Sequence, residues 1–180
     1  EGVLMSLIRV AVDAMGGDNA PDEIVKGAVK AIQDKENIKV LLVGKEDLIN
    51  YELSKYEYDK ERLEIVHANE VIDNDDSPTL AIRRKKDSSI VIGLRLVKDN
   101  QADAFVSAGS SGAVLTGGLF IVGRIKGVER APLAPLIPTL NGQSLLIDCG
   151  ANVDAKASQL LQFAKMGSVY MEEVVGIKNP

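Results

Sequence analysis

Apolar positions along this chain follow two alternating rhythms. The first is that of strands: Leu7 to Ala14, with Ile8, Val10 and Val12, and then a continuous run in Lys39 to Val43 before Gly44. Runs of that length suit strands buried on both faces, as in parallel sheets. The second is helical. Ile24, Val25, Ala28, Val29, Ala31 and Ile32 share one face of a helix expected from Pro21 to Lys35. Pro21 suits the first helical position, and Asp22 and Glu23 suit its positive end. A helix over Lys45 to Leu53, a charged exposed stretch over Lys55 to Arg62 and a strand over Leu63 to Val66 continue the alternation.

Beyond a polar, acidic connection from Asn69 to Pro78, Ser77-Pro78 opens a short helix to about Lys85. Ser88 or Ser89 caps another helix to Asn100, with Ile90, Val91, Leu94 and Val97 on its apolar side. Ala104 to Ser107 reads as a strand. Ala113 to Val122 reads as an apolar helix that must be buried. Leu133 to Leu140 and Gln143 to Asp148 form a hairpin about Asn141-Gly142, a favoured two-residue turn. Ala157 to about Val175 is the last helix. Strands alternating with helices predict a three-layer α/β sheet, mostly parallel, with one antiparallel hairpin inserted.

Composition narrows the class. Of the 180 residues 46% are hydrophobic but only 4% aromatic, so the core must be aliphatic. The formal net charge of −5 argues against general nucleic-acid binding, so an anionic ligand needs a local site. One cysteine, Cys149, precludes an internal disulfide and fits a reducing cytoplasm. No apolar run reaches the ~18 residues that span a bilayer. Glu1 to Leu4, ahead of Met5, reads as an expression remnant, with the fold starting near Ile8.

Three strand ends carry small, polar, glycine-bearing turns: Asp13 to Asn19, Ser107 to Gly112 and Asp148 to Asn152. Open α/β sheets bind ligands beyond the carboxyl ends of their strands. Each turn leads towards a helix, whose first N–H groups lack intrahelical partners and attract anions. If the three strands are neighbours, the turns share one anion crevice; the competing reading is close helix–sheet packing alone. The first turn is neither G-x-G-x-x-G nor a P-loop. Asp13, Asp18 and Asp148 could serve as bases or hold magnesium, but acids at such turns more often cap helices and hold loops. No carboxylate cluster has a recognised metal-ligand spacing, so no metal is expected.

Arg83-Arg84-Lys85-Lys86 is the one dense basic run, and Arg124, Lys126 and Arg130 form a looser group. In an acidic chain such a patch fits an acidic partner or phosphate, although cations also favour helix ends for their own sake. Ser110 and Ser111 lack the nucleophile elbow, His67 is remote in sequence, and Cys149 at a strand end reads as inert. A reaction whose nucleophile is itself a substrate, such as phosphate, needs no nucleophile–base pair.

Three segments together resemble one family: Val12-Asp-Ala-Met-Gly-Gly-Asp-Asn-Ala-Pro21, Ser107-Ala-Gly-Ser-Ser-Gly-Ala113 and Leu146-Ile-Asp-Cys-Gly-Ala-Asn-Val-Asp-Ala-Lys156. The chain resembles the PlsX-type phosphate acyltransferases of bacterial phospholipid synthesis from Ile8 onward. Arg83 to Ser89, Phe120 to Gly127 and Met166 to Tyr170 match in order as well. The resemblance implies a Rossmann-like α/β/α fold related to isocitrate and isopropylmalate dehydrogenases, cytoplasmic and homodimeric. It implies transfer of a fatty acyl group from acyl carrier protein to inorganic phosphate, without a cofactor, for use by a membrane acyltransferase. Asp13, Asp18, Asp148 and Asn152 would then be catalytic. Gly16, Gly17, Gly109, Ser110, Ser111, Gly112, Gly150 and Lys86 would bind substrate. Arg83, Arg84, Lys85, Arg124, Lys126 and Arg130 would dock the acidic carrier protein. Ser110-Ser111 and Cys149 depart from the family's usual Asn-Thr and valine. Family members are nearly twice as long, so residues 8–180 are expected to form the N-terminal part of one catalytic domain, inactive or nearly so alone. Membrane-associating surfaces would belong to the other half. Two other readings stay open: acyl transfer to coenzyme A as in phosphotransacetylases, and carrier-protein binding without turnover.

Overall fold

A computed structural model describes residues 7–180; the expected remnant at Glu1 to Leu4 lies outside them. The described chain divides into two compact units, one ending at Gly123 and the other running from Arg124 to Pro180.

The first unit is built on four parallel strands in the order β3-β2-β1-β4. They are β1 (Ile8–Asp13), β2 (Ile38–Gly44), β3 (Leu63–His67) and β4 (Ala104–Val106). Side chains alternate across a strand, so each strand feeds two cores. Val40 and Leu42 point to the face covered by α1 (Asp22–Asp34) and α2 (Glu46–Leu53), where Val25, Val29, Ile32 and Ile49 meet them. Ala11, Leu41 and Val43 point to the other face, against Ile92, Leu96 and Val97 of α4 (Ser89–Lys98). The expected three layers are therefore present within this unit alone. A third cluster packs Ala81 and Ile82 of α3 (Pro78–Arg84) with Ile90, Val91 and Leu94 of α4 and with Ala113.

Local starts and stops follow the sequence closely. Helix α1 begins at Asp22, with Pro21 as its cap, one residue later than expected. Ser88, fully buried, is the residue that caps α4, its Oγ accepting from the N–H of Val91 at 3.4 Å. One expectation is corrected. Residues 113–122 do not form a wholly buried helix: α5 (Ser111–Gly117) passes into a π-helical turn over Gly118–Val122, and Phe120 is 73% exposed. Gly117 lies so close to Leu94 that an added Cβ would overlap it, and Ile121 packs against the same cluster, whereas Phe120 and Val122 of the π turn are exposed.

The second unit holds the antiparallel hairpin of β5 (Leu136–Thr139) and β6 (Gly142–Leu145), and the long helix α6 (Ala157–Glu173). Thr139 pairs with Gly142, so the turn residues are Leu140-Asn141, one position earlier than expected. Gly142, at φ 136°, joins the strand in a conformation that side chains resist. Past the strand end, N–H groups of Leu146 and Cys149 still bond the carbonyls of Pro135 and Leu133. The buried residues of α6 are Gln159, Phe163, Gly167 and Met171, a strict four-residue spacing that makes one stripe.

Candidate functional site

Strand order decides where a site can form in the first unit. From β1 the chain moves outward through β2 to β3, then returns to place β4 on the other flank of β1. This reversal between β1 and β4 is the topological switch point, where adjacent loops splay and leave a crevice. The loops that leave there are the first two glycine turns. Val12 pairs with Val106, so Asp13 and Ser107 are the next residues of neighbouring strands.

Those two residues tie the turns together. Asp13 is 1% exposed. A carboxylate this buried needs hydrogen bonds on its oxygens. Its Oδ1 accepts from the N–H of Met15 at 3.1 Å, within its own turn. Its Oδ2 accepts from the hydroxyl of Ser107 at 2.7 Å, across the switch point. The Ser107 Oγ in turn accepts from the N–H of Gly109 at 3.0 Å. The glycines make this approach possible. A Cβ on Gly16 would overlap Asp13 Oδ2 and lie 2.8 Å from Gly109 N. Gly17, at φ 101°, rests against Ala108. Ser110 is buried and caps α5, accepting from the N–H of Ala113 at 3.3 Å. Ser111 and Gly112 form the first helical positions, where N–H groups have no intrahelical acceptor.

The structure thus brings together Asp13, Gly16, Gly17, Gly109 and Ser110, with Ser111 and Gly112 following directly. Both Asp13 oxygens are engaged, so the carboxylate organises the two turns. Asp18 is exposed beside them. Ser107, at the head of the second turn, was not among the expected site residues. Its signal lies in the β1–β4 pairing, which a single sequence does not display.

In the second unit, Asp148, Gly150 and Asn152 form a turn of their own. Asp148 Oδ1 accepts from the N–H groups of Leu133 (2.7 Å) and Ala151 (3.3 Å). Its Oδ2 accepts from the backbone N–H and the side-chain Nδ2 of Asn152 (2.7 and 3.0 Å). Burial pushes the Asp148 carboxyl up, but the donors from Leu133, Asn152 and Ala151 outweigh it and hold it below its ordinary value. Asn152 also bonds the carbonyl of Ala131, and its Oδ1 faces Arg130 Nη1 at 3.4 Å. Gly150, at φ 83°, supplies the bend. Arg124 donates to the carbonyl of Glu129, and Lys126 is exposed.

Within the basic run, Lys85 is tied to its own chain. Its Nζ donates to Asp76 Oδ2 at 2.5 Å and to the carbonyl of Val71 at 2.8 Å, pinning the acidic connection. Lys85 is the C-cap residue of α3, which ends at Arg84. Arg83, Arg84 and Lys86 are exposed, and Arg95 joins them through a 3.4 Å bond from Nη1 to the carbonyl of Lys86. Lys86 follows the far end of α3, whose first residue, Pro78, is the one packed on Gly112. Seven helical residues span about 10 Å. His67, exposed at the end of β3, is engaged by Asn69 Oδ1 at 2.9 Å.

A switch point flanked by two glycine turns, tied together by Asp13 and Ser107, defines a protein of the open α/β class. The chain belongs to the family described as fatty acid synthesis protein, whose model matches residues 8–180; these are the PlsX-type phosphate acyltransferases that its motifs resemble. It is 53% identical over 173 residues to the phosphate acyltransferase of Alkaliphilus oremlandii, covering 96% of this chain and 51% of that protein. The phosphate acyltransferase of Clostridium perfringens (strain ATCC 13124) is 54% identical with the same coverage. The chain therefore spans about half the length of these relatives. Among solved structures, a phosphotransacetylase from Streptococcus pyogenes superposes with a TM-score of 0.70 at 20% identity, over 95% of this chain and 55% of that one. That likeness concerns the α/β fold alone.

Proposed function

We propose that this chain is the N-terminal part of a phosphate acyltransferase that moves a fatty acyl group from acyl carrier protein to inorganic phosphate. One observation carries the reading: the two glycine turns are clamped together by Asp13 and Ser107 at the switch point, in a family whose named relatives are phosphate acyltransferases. In this reaction a phosphate oxygen attacks the thioester carbonyl, a C–O bond forms, the C–S bond breaks, and the carrier leaves as its thiolate. The nucleophile is a substrate, so the protein's part is to hold two anionic partners in line and stabilise the oxyanion. The backbone N–H groups of Ser111 and Gly112, at the start of α5, suit both tasks.

The acidic carrier protein would dock on Arg83, Arg84, Lys86 and Arg95. Lys86 fits that role better than phosphate contact, because it follows the end of α3 remote from Gly112. The acyl phosphate would pass to a membrane acyltransferase in phospholipid synthesis, with the enzyme acting as a cytoplasmic homodimer. No helix among the described residues is long and apolar enough to cross a membrane.

The test joins residues 8–180 to the second half of the Alkaliphilus relative and follows thioester consumption with and without phosphate. Phosphate-dependent consumption of the carrier-protein thioester, with acyl phosphate trapped by hydroxylamine, is the expected result. Turnover of acyl-CoA alone would favour the phosphotransacetylase-like reaction. A folded chimera that binds carrier protein without turnover would leave only the binding reading.

A further inference from the structure

We propose that Ser107 is a positioning residue, whose hydroxyl sets where the 108–112 turn presents its amides to phosphate. The inference rests on the acyl-transfer reading above and adds a residue to it.

The argument begins with the hydroxyl's hydrogen-bond capacity. A serine Oγ carries one proton and two lone pairs. Here the proton goes to Asp13 Oδ2 at 2.7 Å, and one lone pair receives the N–H of Gly109 at 3.0 Å. Because the acceptor is an ionisable carboxylate in a buried setting, the first of these bonds belongs to the stronger class. It fixes the hydroxyl's rotation and so fixes which direction its lone pairs face. The Gly109 amide is thereby bound inward, followed by buried Ser110 at the cap of α5 and by exposed Ser111. Without the hydroxyl, Gly109 has no such anchor, and the contacts left between the two turns are the packing of Gly16 on Gly109 and of Gly17 on Ala108. Asp13 cannot do this alone. Its other oxygen serves Met15 in its own turn, and it reaches the second turn only through Ser107.

The bond to Met15 also supplies an internal control. It belongs to the same carboxylate but does not pass through Ser107. A general loosening of the region would free both amides, whereas loss of positioning frees Gly109 alone.

The experiment uses the whole 180-residue chain with Ser107→Ala and Ser107→Thr. Amide exchange at Gly109 and Met15 is followed by NMR, and inorganic phosphate is titrated against each protein. In Ser107→Ala, exchange at Gly109 is expected to rise about tenfold, with Met15 unchanged. Phosphate affinity is expected to fall about tenfold with it. Ser107→Thr, which keeps a hydroxyl, restores both. Equal acceleration at Gly109 and Met15 would make the serine merely structural and overturn the proposal. Unchanged exchange at Gly109, or phosphate binding that is unchanged in Ser107→Ala, would overturn it as well. A wild-type chain that binds no phosphate would instead remove the phosphate-site reading itself, and the proposal with it.

Discussion

The central residue of the first unit is a buried carboxylate that binds backbone and hydroxyl donors and no cation. Asp13 illustrates how a turn is held when its neighbours must be glycine. Gly16→Ala places a methyl group against Asp13 Oδ2 and the Gly109 amide, both fixed. It should cost about 1–3 kcal/mol in chemical denaturation, as overpacking does. Asp148 gives a residue-scale prediction in pH. Its carboxyl is held below its ordinary value in the folded state. A depressed folded-state pKa gives stability that is complete above the unfolded pKa and is lost as pH falls below it. The amides of Leu133 and Asn152, which bond this carboxylate, should therefore lose protection on acidification through the carboxylate range. In Asp148→Asn they should show no such acid dependence. Protection that is independent of pH in the wild type would refute this.

At the scale of elements, close packing is where glycine matters most. Gly93 of α4 faces the ring of Phe105 in β4 at a distance that leaves no room for a Cβ. Gly93→Ala should push α4 off the sheet and cost about 1–3 kcal/mol, read from the shift of the urea midpoint. The basic run separates by element as well. Lys85 ties the end of α3 to the acidic connection, whereas Lys86 is exposed. Lys85→Ala should lower Tm measurably and Lys86→Ala should not. If both leave Tm unchanged, the Lys85–Asp76 pair contributes nothing, as many exposed pairs do. The hairpin and α5 show how far periodicity carries. The antiparallel pair was legible in its flanking apolar residues, but its turn shifted by one because Gly142 is used as a strand residue at positive φ. The helix after Ser110 was legible, but its exposure was not. Which side packs depends on Gly117 meeting Leu94, a contact between residues 23 positions apart.

At the scale of the molecule, the two units differ in how much core each owns. Among the described residues, the three clusters of buried hydrophobic side chains all consist of residues before Gly123. Residues 7–123 should therefore unfold cooperatively when expressed alone. The second unit buries Phe163 and Met171, too little to fold independently. Circular dichroism melts of the two pieces test this, and a cooperative transition from residues 124–180 would contradict it. The amino-terminal edge of the sheet is closed by Arg9, which bonds Asp103 through Nε and Nη2 at 3.1 and 2.9 Å. Side-chain and backbone hydrogen bonds from Arg9 lower the Asp103 carboxyl to about 2. This support is complete above the ordinary carboxylate pKa and lost as pH falls towards 2. Asp103→Asn should flatten the stability profile in that acid window and lower stability at neutral pH, where the wild-type support is complete.

Elements that depend on neighbours in sequence could be read from sequence: strands as apolar runs, helices as 3.6-residue stripes, caps at Ser88 and the Pro21 region. The small-residue turns were equally visible, as was the chance that they share a crevice. Their partnership was not, because it depends on strand order. Only the fold places β4 beside β1, and only that pairing sets Ser107 one hydrogen bond from Asp13, 94 residues away in the chain. The same physics decided the fate of Lys85. Charge is a property of sequence, but the direction in which a charge points is set by what it can reach, and here it reaches Asp76 and the carbonyl of Val71.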